Sequence, residues 1–484
     1  MTTTTAMTSA KKDSFDRFGD DLCQLLLQYL PIDDRLRLES VSKQWLALIF
    51  NTQTDLVFDR KLLKTMSLNS WHYYYQSIKL FEVIVSKCPN ITAVTISDGS
   101  RLPGCVHAIN SFMNLLIINC HRLRHISIKH DYYCQWSVID RTFERFFRRF
   151  GRQLLTFKFE GTNHEFNKQL FYEVVDGMPN LKTLDITYDS YESTVQLNDI
   201  LIDNMCDLLP ESLQSLNIKL AESSMTLFAK FAYIYGKQLT SLKIMLDQST
   251  DEDNDYDNNA DNYDNYDNNA NDYNNNADED DDDDYDEGPN WNKWDLKTLL
   301  TGFEQIPRLR QLSFDLPFDF DINFIGDLFS TIGRNCRQLK SLDYKSDIIN
   351  LLTIERMFIT INKHMSKQLR RLSVKCWNYI KVDTDLVLTS SLLKRLTGLT
   401  HLTLELKSCD IIDNQFFNDI HLNLPRLQSI HCNDVAINDE SIITMGQLAN
   451  LTDVYIRCNR NKFLTTSKSI ISRHLLIGYI PLRA

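Results

Sequence analysis

The chain has 484 residues, 43% of them hydrophobic, which is ample for a large core and too long for one compact globule. Its formal charge of −12 is unevenly spread: residues 251–287 hold 18 Asp or Glu and no Lys or Arg, and the remainder carries 52 basic against 46 acidic residues. No apolar run is long enough to span a bilayer, and residues 1–13 lack the apolar centre of a signal peptide, which predicts an intracellular protein, cytoplasmic or nuclear. The 11 cysteines are scattered, with no Cys-x-x-Cys pair, so they read as small buried hydrophobes in a reducing compartment and argue against a structural zinc site.

Residues 1–13 read as a disordered, Thr-rich tail. From Asp20 to Leu30 the apolar spacing of Leu22, Leu25, Leu26, Tyr29 and Leu30 predicts an amphipathic helix. Pro31 ends it, and Asp33 is placed to cap a second helix carrying Leu36, Leu38 and Val41. A third helix, Ser42 to Phe50, holds Trp45, Leu46, Leu48 and Ile49. Three helices this short are marginal alone and need a partner or a neighbouring unit to cover their apolar side. Asp20-Asp21-Leu22, Leu26-Leu27, Tyr29-Leu30-Pro31, Asp34, Leu36, Leu38, Val41-Ser42-Lys43 and Trp45 make residues 14–62 resemble an F-box, although Phe18-Gly19 stands where that family usually opens with Leu-Pro. Residues 63–87 follow as a further helical stretch, with Trp71, Tyr74, Ile78, Phe81 and Val85 on one face.

The rest of the chain is organised by one figure: apolar, two polar, apolar, polar, apolar. Clear copies are Leu181/Leu184/Ile186, Leu213/Leu216/Ile218, Leu239/Leu242/Ile244, Leu309/Leu312/Phe314, Leu339/Leu342/Tyr344, Leu369/Leu372/Val374 and Leu399/Leu402/Leu404. Weaker copies begin at Ile91, Leu123, Leu154, Leu427 and Leu451. The last two apolar positions share one face of a short strand. Apolar residues at helical spacing separate the copies, Leu197, Ile200, Leu201, Met205 and Leu208 for example. Strand, helix, strand at a near-fixed period predicts an α/β solenoid of parallel strands in which stacking supplies the core. The figure resembles leucine-rich repeats, and Cys88-Pro89-Asn90-Ile91, Cys120-His121-Arg122-Leu123, Cys336-Arg337-Gln338-Leu339 and Ile437-Asn438-Asp439-Glu440-Ser441-Ile442 resemble their cysteine-containing subtype. The expected organisation is a tail (1–13), an F-box (14–62), repeats (63–247), an acidic insert (248–290), and further repeats with a closing cap (291–484).

Two segments bear on binding chemistry. Between Arg141 and Arg152, Phe143, Phe146, Phe147 and Phe150 form a helical stripe among arginines; the spacing favours a core-facing stripe over a nucleic-acid patch. The insert separates copies starting 70 residues apart, and removing 42 residues from Gln248 to Pro289 leaves 28, one ordinary repeat, so it reads as a disordered loop within the solenoid. Asp251, Asp253 and Asp255 mimic a calcium loop, but Tyr256 and Asn262 stand where that loop needs Gly and Glu.

On each strand the residues between the apolar ones face the concave side. This places Lys129, Lys158, Lys219, Lys243, Lys345 and Lys375 in a broken row, with Arg371, His401, His431 and Tyr455 beside it. The row reads either as a surface for an acidic protein segment or as an ordinary solvated face. No phosphate loop, zinc-type His-Glu-x-x-His or nucleophile elbow is present, so neither enzyme activity, a cofactor nor a metal is expected. The resemblance to F-box proteins with leucine-rich repeats implies a substrate-recognition subunit of a cullin–RING ubiquitin ligase. Phe18, Leu22, Leu26, Leu30, Pro31, Leu36, Val41 and Trp45 would dock the Skp-family adaptor or shape the bundle that presents it, and the repeats would hold a protein substrate. The alternative is a repeat scaffold or inhibitor whose F-box-like helices only cap it; nucleic acid and membrane are not expected partners.

Overall fold

The computed structural model describes residues 19–30, 32–41, 43–59, 61–62, 73–98, 105–130, 140–161, 177–188, 209–220, 225–246, 296–316, 320–381, 388–406, 412, 414–435, 438–458 and 475–476. The predicted insert, the tail, Phe18, Pro31 and the helical pattern at 197–208 lie outside them.

Each of the twelve repeat figures becomes a strand. They are β2 (Ala93–Asp98), β3 (His125–His130), β4 (Thr156–Gly161), β5 (Thr183–Tyr188), β6 (Ser215–Leu220), β7 (Ser241–Leu246), β8 (Gln311–Leu316), β9 (Ser341–Asn350), β10 (Arg371–Lys381), β11 (His401–Leu406), β12 (Ser429–Val435) and β13 (Asp453–Cys458). With β1 (Asp55–Asp59) in front and β14 (Leu475–Leu476) behind, the described residues form one fourteen-stranded sheet in strict chain order. Every pairing is parallel, as strand–helix–strand units require. In β11 the pattern is plain: Leu402, Leu404 and Leu406 are buried, while His401, Thr403 and Glu405 alternate with them on the open face. This is a leucine-rich-repeat solenoid.

Helices return the chain across the buried face: α4 (Tyr73–Lys87), α5 (Cys105–Asn119), α6 (Asp140–Phe150), α7 (Met225–Tyr235), α8 (Leu296–Glu304), α9 (Ile322–Asn335), α10 (Leu351–His364), α11 (Asn414–Asn418), α12 (Ile420–Asn423) and α13 (Asp439–Gly446); α1 (Asp20–Gln28), α2 (Ile32–Arg37) and α3 (Lys43–Thr52) lie N-terminal to them. Caps begin several. Asp321 accepts from the Asn323 and Phe324 amides, Asn350 from Leu352, and Asn438 from Ser441. Before each of β2 to β13 a buried residue closes the turn; in three turns it is Cys88, Cys120 or Cys336, whose thiols burial pushes up to about 12. The arginine-rich helix α6 settles as its spacing predicted: its four phenylalanines are buried and mutually packed, its arginines exposed.

Two strands were not expected, the short β14 that pairs with β13 at the closing end and β1 at the opening one. β1 lies inside the 14–62 segment, yet it pairs with β2 and opens the sheet. Leu56 and Phe58 face the core, where Phe58, Phe81 and Phe112 meet edge to face with centroids 4.7–5.3 Å apart. The residues that β7 and β8 flank, 247–295, do not interrupt the solenoid: Ser241 to Met245 pair with Gln311 to Asp315 in unbroken register.

Candidate binding surfaces

The N-terminal helices form as their spacing predicts: α1 (Asp20–Gln28), α2 (Ile32–Arg37, running on as a short 3-10 turn, Leu38–Ser40) and α3 (Lys43–Thr52). One side of this unit is core. Cys23 and Leu27 of α1 meet Trp45, Ile49 and Phe50 of α3, and Trp45 is only 4% exposed. The unit is anchored to the first repeat by Lys87, which reaches Glu39 at 3.1 Å and lies over the Phe50 ring, and by the Asn90 amide donating to the Asn51 carbonyl. Arg35 ties α1 to β1: its Nε donates to the Leu30 carbonyl at 2.7 Å and its Nη1 to Gln53 Oε1 at 3.0 Å. Burial lowers the Arg35 pKa.

The other side is apolar and uncovered. Leu22, Leu25 and Leu26 of α1, Val41, and Leu46 of α3 are exposed, Leu26 to 41%, and Tyr29 is exposed to 80%. Positions 22, 25, 26 and 29 follow helical spacing, so they make one strip. Exposed leucines scattered singly need no explanation, but a contiguous strip marks an interaction site. The sequence-predicted adaptor residues therefore divide. Leu22 and Leu26 stand on the exposed strip of α1, and Val41 is exposed beyond it. Leu36 is half-buried against the core, Leu30 is half-buried and lines a cavity of about 460 Å³ between the helices and β1, and Trp45 is internal. Phe18 and Pro31 are outside the described residues. Leu25 and Leu46, outside the motif match, and Tyr29, inside it but not among the predicted docking residues, are exposed as well; the signal for Leu25 and Tyr29 was the helical period itself.

On the open face of the sheet, the lysine row is interleaved with carboxylates, three from a neighbouring strand and one, Asp343 beside Lys345, from the same strand. Lys129 pairs with Glu160, Lys158 with Asp185 at 4.0 Å, Lys345 with Asp343 at 3.8 Å, and Lys375 with Glu405 at 2.9 Å. The register explains it: Lys129 stands opposite Glu160, Lys158 opposite Asp185, and Lys375 opposite Glu405. The row is thus alternating in sign rather than the continuous positive strip that the lysines alone suggest. Lys243 has no ion pair among the described residues, and Lys219 lies on β6.

At the C-terminal end the open face carries a small polar network. Asp453 Oδ2 accepts from His431 Nε2 at 2.7 Å and from Ser429 Oγ at 2.9 Å. These bonds, His431 first, hold the Asp453 carboxyl below its ordinary value. Tyr455 packs beside His431, with ring centroids 5.8 Å apart. His401 sits one strand away, and burial, followed by the nearby Arg371 charge, lowers its pKa. Ser, His and Asp are all present, but the aspartate is the shared acceptor. No imidazole nitrogen is bonded to the Ser429 hydroxyl, so this is not a nucleophile with its base. What the arrangement offers is a mixed-charge, hydrogen-bonding surface suited to a protein or peptide.

No family model matches the chain, and no curated protein matches it in sequence. Solved structures with a similar course include a chain of the yeast Rad7 and Elc1 complex, at 11% identity over 87% of this chain and 90% of that one, TM-score 0.47. An internalin from Listeria monocytogenes matches at 13% identity over 78% and 77%, TM-score 0.32. Human 5T4, the trophoblast glycoprotein, matches at 16% over 52% and 71%, TM-score 0.29. No residue role is carried from any of these; the solenoid assignment rests on the repeat and the strand order.

Proposed function

We propose that this chain is the substrate-recognition subunit of an SCF-type ubiquitin ligase, working in the cytoplasm or nucleus. The single observation that carries the reading is the uncovered apolar strip on α1, with Val41 and Leu46 also exposed on the same three-helix unit. It lies on the segment that resembles an F-box, and the solenoid leaves it facing outward. A Skp-family adaptor would cover Leu22, Leu25, Leu26, Tyr29, Val41 and Leu46, while Trp45, Cys23 and Leu27 hold the helices in place. The open face of the repeats, with Lys243, Arg371, His401, His431 and Tyr455, would hold the protein substrate. Catalysis belongs to the associated enzymes: a bound substrate raises the effective concentration of its lysines at the ubiquitin-charged site.

The test is binding of the full-length protein to a purified Skp-family adaptor. Leu22→Asp and Leu26→Asp change exposed side chains and leave the core intact, so each is expected to weaken binding at least about tenfold with the thermal unfolding midpoint preserved. Failure of the folded wild-type chain to bind any Skp-family adaptor would sink the reading and leave a repeat scaffold with a helical cap.

A further inference from the structure

The turns that lead into the strands carry a second charge pattern. In a parallel sheet every strand begins at the same edge, so residues just before the strands line up along one rim. From the turn at 88–92 to the turn at 448–452, these short turns contain twelve Lys or Arg and a single acid, Glu211. The best-ordered part is a column of three: the Lys340 amide donates to the Arg310 carbonyl and the Arg370 amide to the Lys340 carbonyl, each at 2.8 Å, which places the three cations on successive strands about 4.8 Å apart. Arg308, Arg337 and Lys367 flank that column, one in each turn. Towards the N-terminal end Arg122, Arg124, Arg152 and Lys182 continue the rim, and Arg149 of α6 reaches His121 beside them.

Two observations separate this rim from the lysine row of the open face. The open-face lysines are mostly matched with carboxylates, whereas among the described residues none of the rim cations has an ion pair. The rim also lacks an apolar anchor. Besides the cations its exposed residues include glutamines, Gln214 and Gln428, and small apolar turn residues, Pro89, Pro179, Pro307, Pro425 and Ala449, but no exposed large hydrophobic falls in these turns. Protein interfaces draw their energy from buried aromatic and aliphatic anchors. A surface of arginine, lysine and glutamine without anchors has the composition of a phosphate-backbone contact. No Phe, Tyr or Trp is exposed in these turns and His121 is their one aromatic ring, so a run of unpaired bases finds no continuous platform to stack on. We infer that this rim binds the phosphate backbone of duplex nucleic acid without reading its sequence.

The experiment is fluorescence anisotropy of a labelled random-sequence duplex of about 20 base pairs with the full-length protein, between about 50 and 200 mM salt. The wild type is expected to bind with a steep log–log salt dependence. The variant Arg310→Gln/Lys340→Gln/Arg370→Gln is expected to bind more weakly, with the slope shallower by about 0.9 per lost contact. Arg370 lies over Gly398, so a second variant away from that contact, Arg122→Gln/Arg124→Gln/Arg152→Gln, is run in parallel and is expected to behave the same way. Lys129→Gln/Lys375→Gln on the open face is expected to leave the slope unchanged. No binding at low salt, or a slope that neither rim variant moves, overturns the inference. So does tighter binding of the single strand, or binding of a polyglutamate peptide without binding of the duplex, which would assign the rim to an acidic protein. Adaptor binding is measured on the same samples and is independent of either outcome.

Discussion

His401 illustrates how one side chain links the open face to solution conditions. Burial and the neighbouring Arg371 favour its neutral form in the folded state. The unfolded imidazole takes up its proton near pH 6.5, the folded one only at lower pH, so in that window the unfolded state holds more protons. Stability therefore falls as pH drops from about 6.5 through the folded value. Urea midpoints at pH 7.5 and 5.5 should differ less in His401→Gln than in the wild type; equal differences would show that the imidazole is not the source. Gln53 shows where a single residue defeats a sequence pattern. It occupies the leading position that leucine fills in later copies, three residues before Leu56, and it is buried. Its amide is satisfied by Arg35 and by the Asp55 carbonyl, so a polar residue serves in an apolar slot. That exchange concealed β1, whereas the twelve strands with an apolar leading residue were legible from spacing alone.

At the scale of elements, helix α6 separates packing from charge. Phe146 is fully buried against Phe147 and Phe150, and Arg148 is exposed beside Glu144. Phe146→Ala is expected to cost about 3–5 kcal/mol of stability and Arg148→Ala less than about 0.5 kcal/mol. Denaturant unfolding of the two variants checks the contrast; similar losses would mean that the helix is held by its surface charges. Here sequence periodicity was a sufficient guide, because one helix contains its own evidence. The exposed strip on α1 was half legible. Leu22 and Leu26 followed from the pattern, but which face the solenoid would cover depends on how α3 meets α4 through Lys87 and Phe50, a contact between distant parts of the chain. The cationic rim was not legible at all. Its members stand about thirty residues apart, and only the stacking of turns brings them together.

For the molecule as a whole, the junction between β7 and β8 is the informative place. The α7 and α8 helices on either side pack so closely that a Cβ on Gly302 would come within 2.4 Å of the Phe228 ring, and the Tyr235 hydroxyl reaches back to the Leu209 carbonyl at 2.8 Å. The strand ladder and the helix contacts at this junction are made by residues outside 248–290. Deleting them is expected to leave the circular dichroism spectrum per folded residue and the cooperativity of unfolding unchanged, with the melting midpoint shifted by no more than a few degrees. Splitting of the melt into two transitions would show that the segment joins two separately folding halves. The same junction bears on how this gene can vary. The ladder across β7 and β8 makes changes in the length of the Asp-, Asn- and Tyr-rich stretch nearly invisible to selection for folding. Natural alleles can therefore differ in length at this point and remain interchangeable in every repeat on either side.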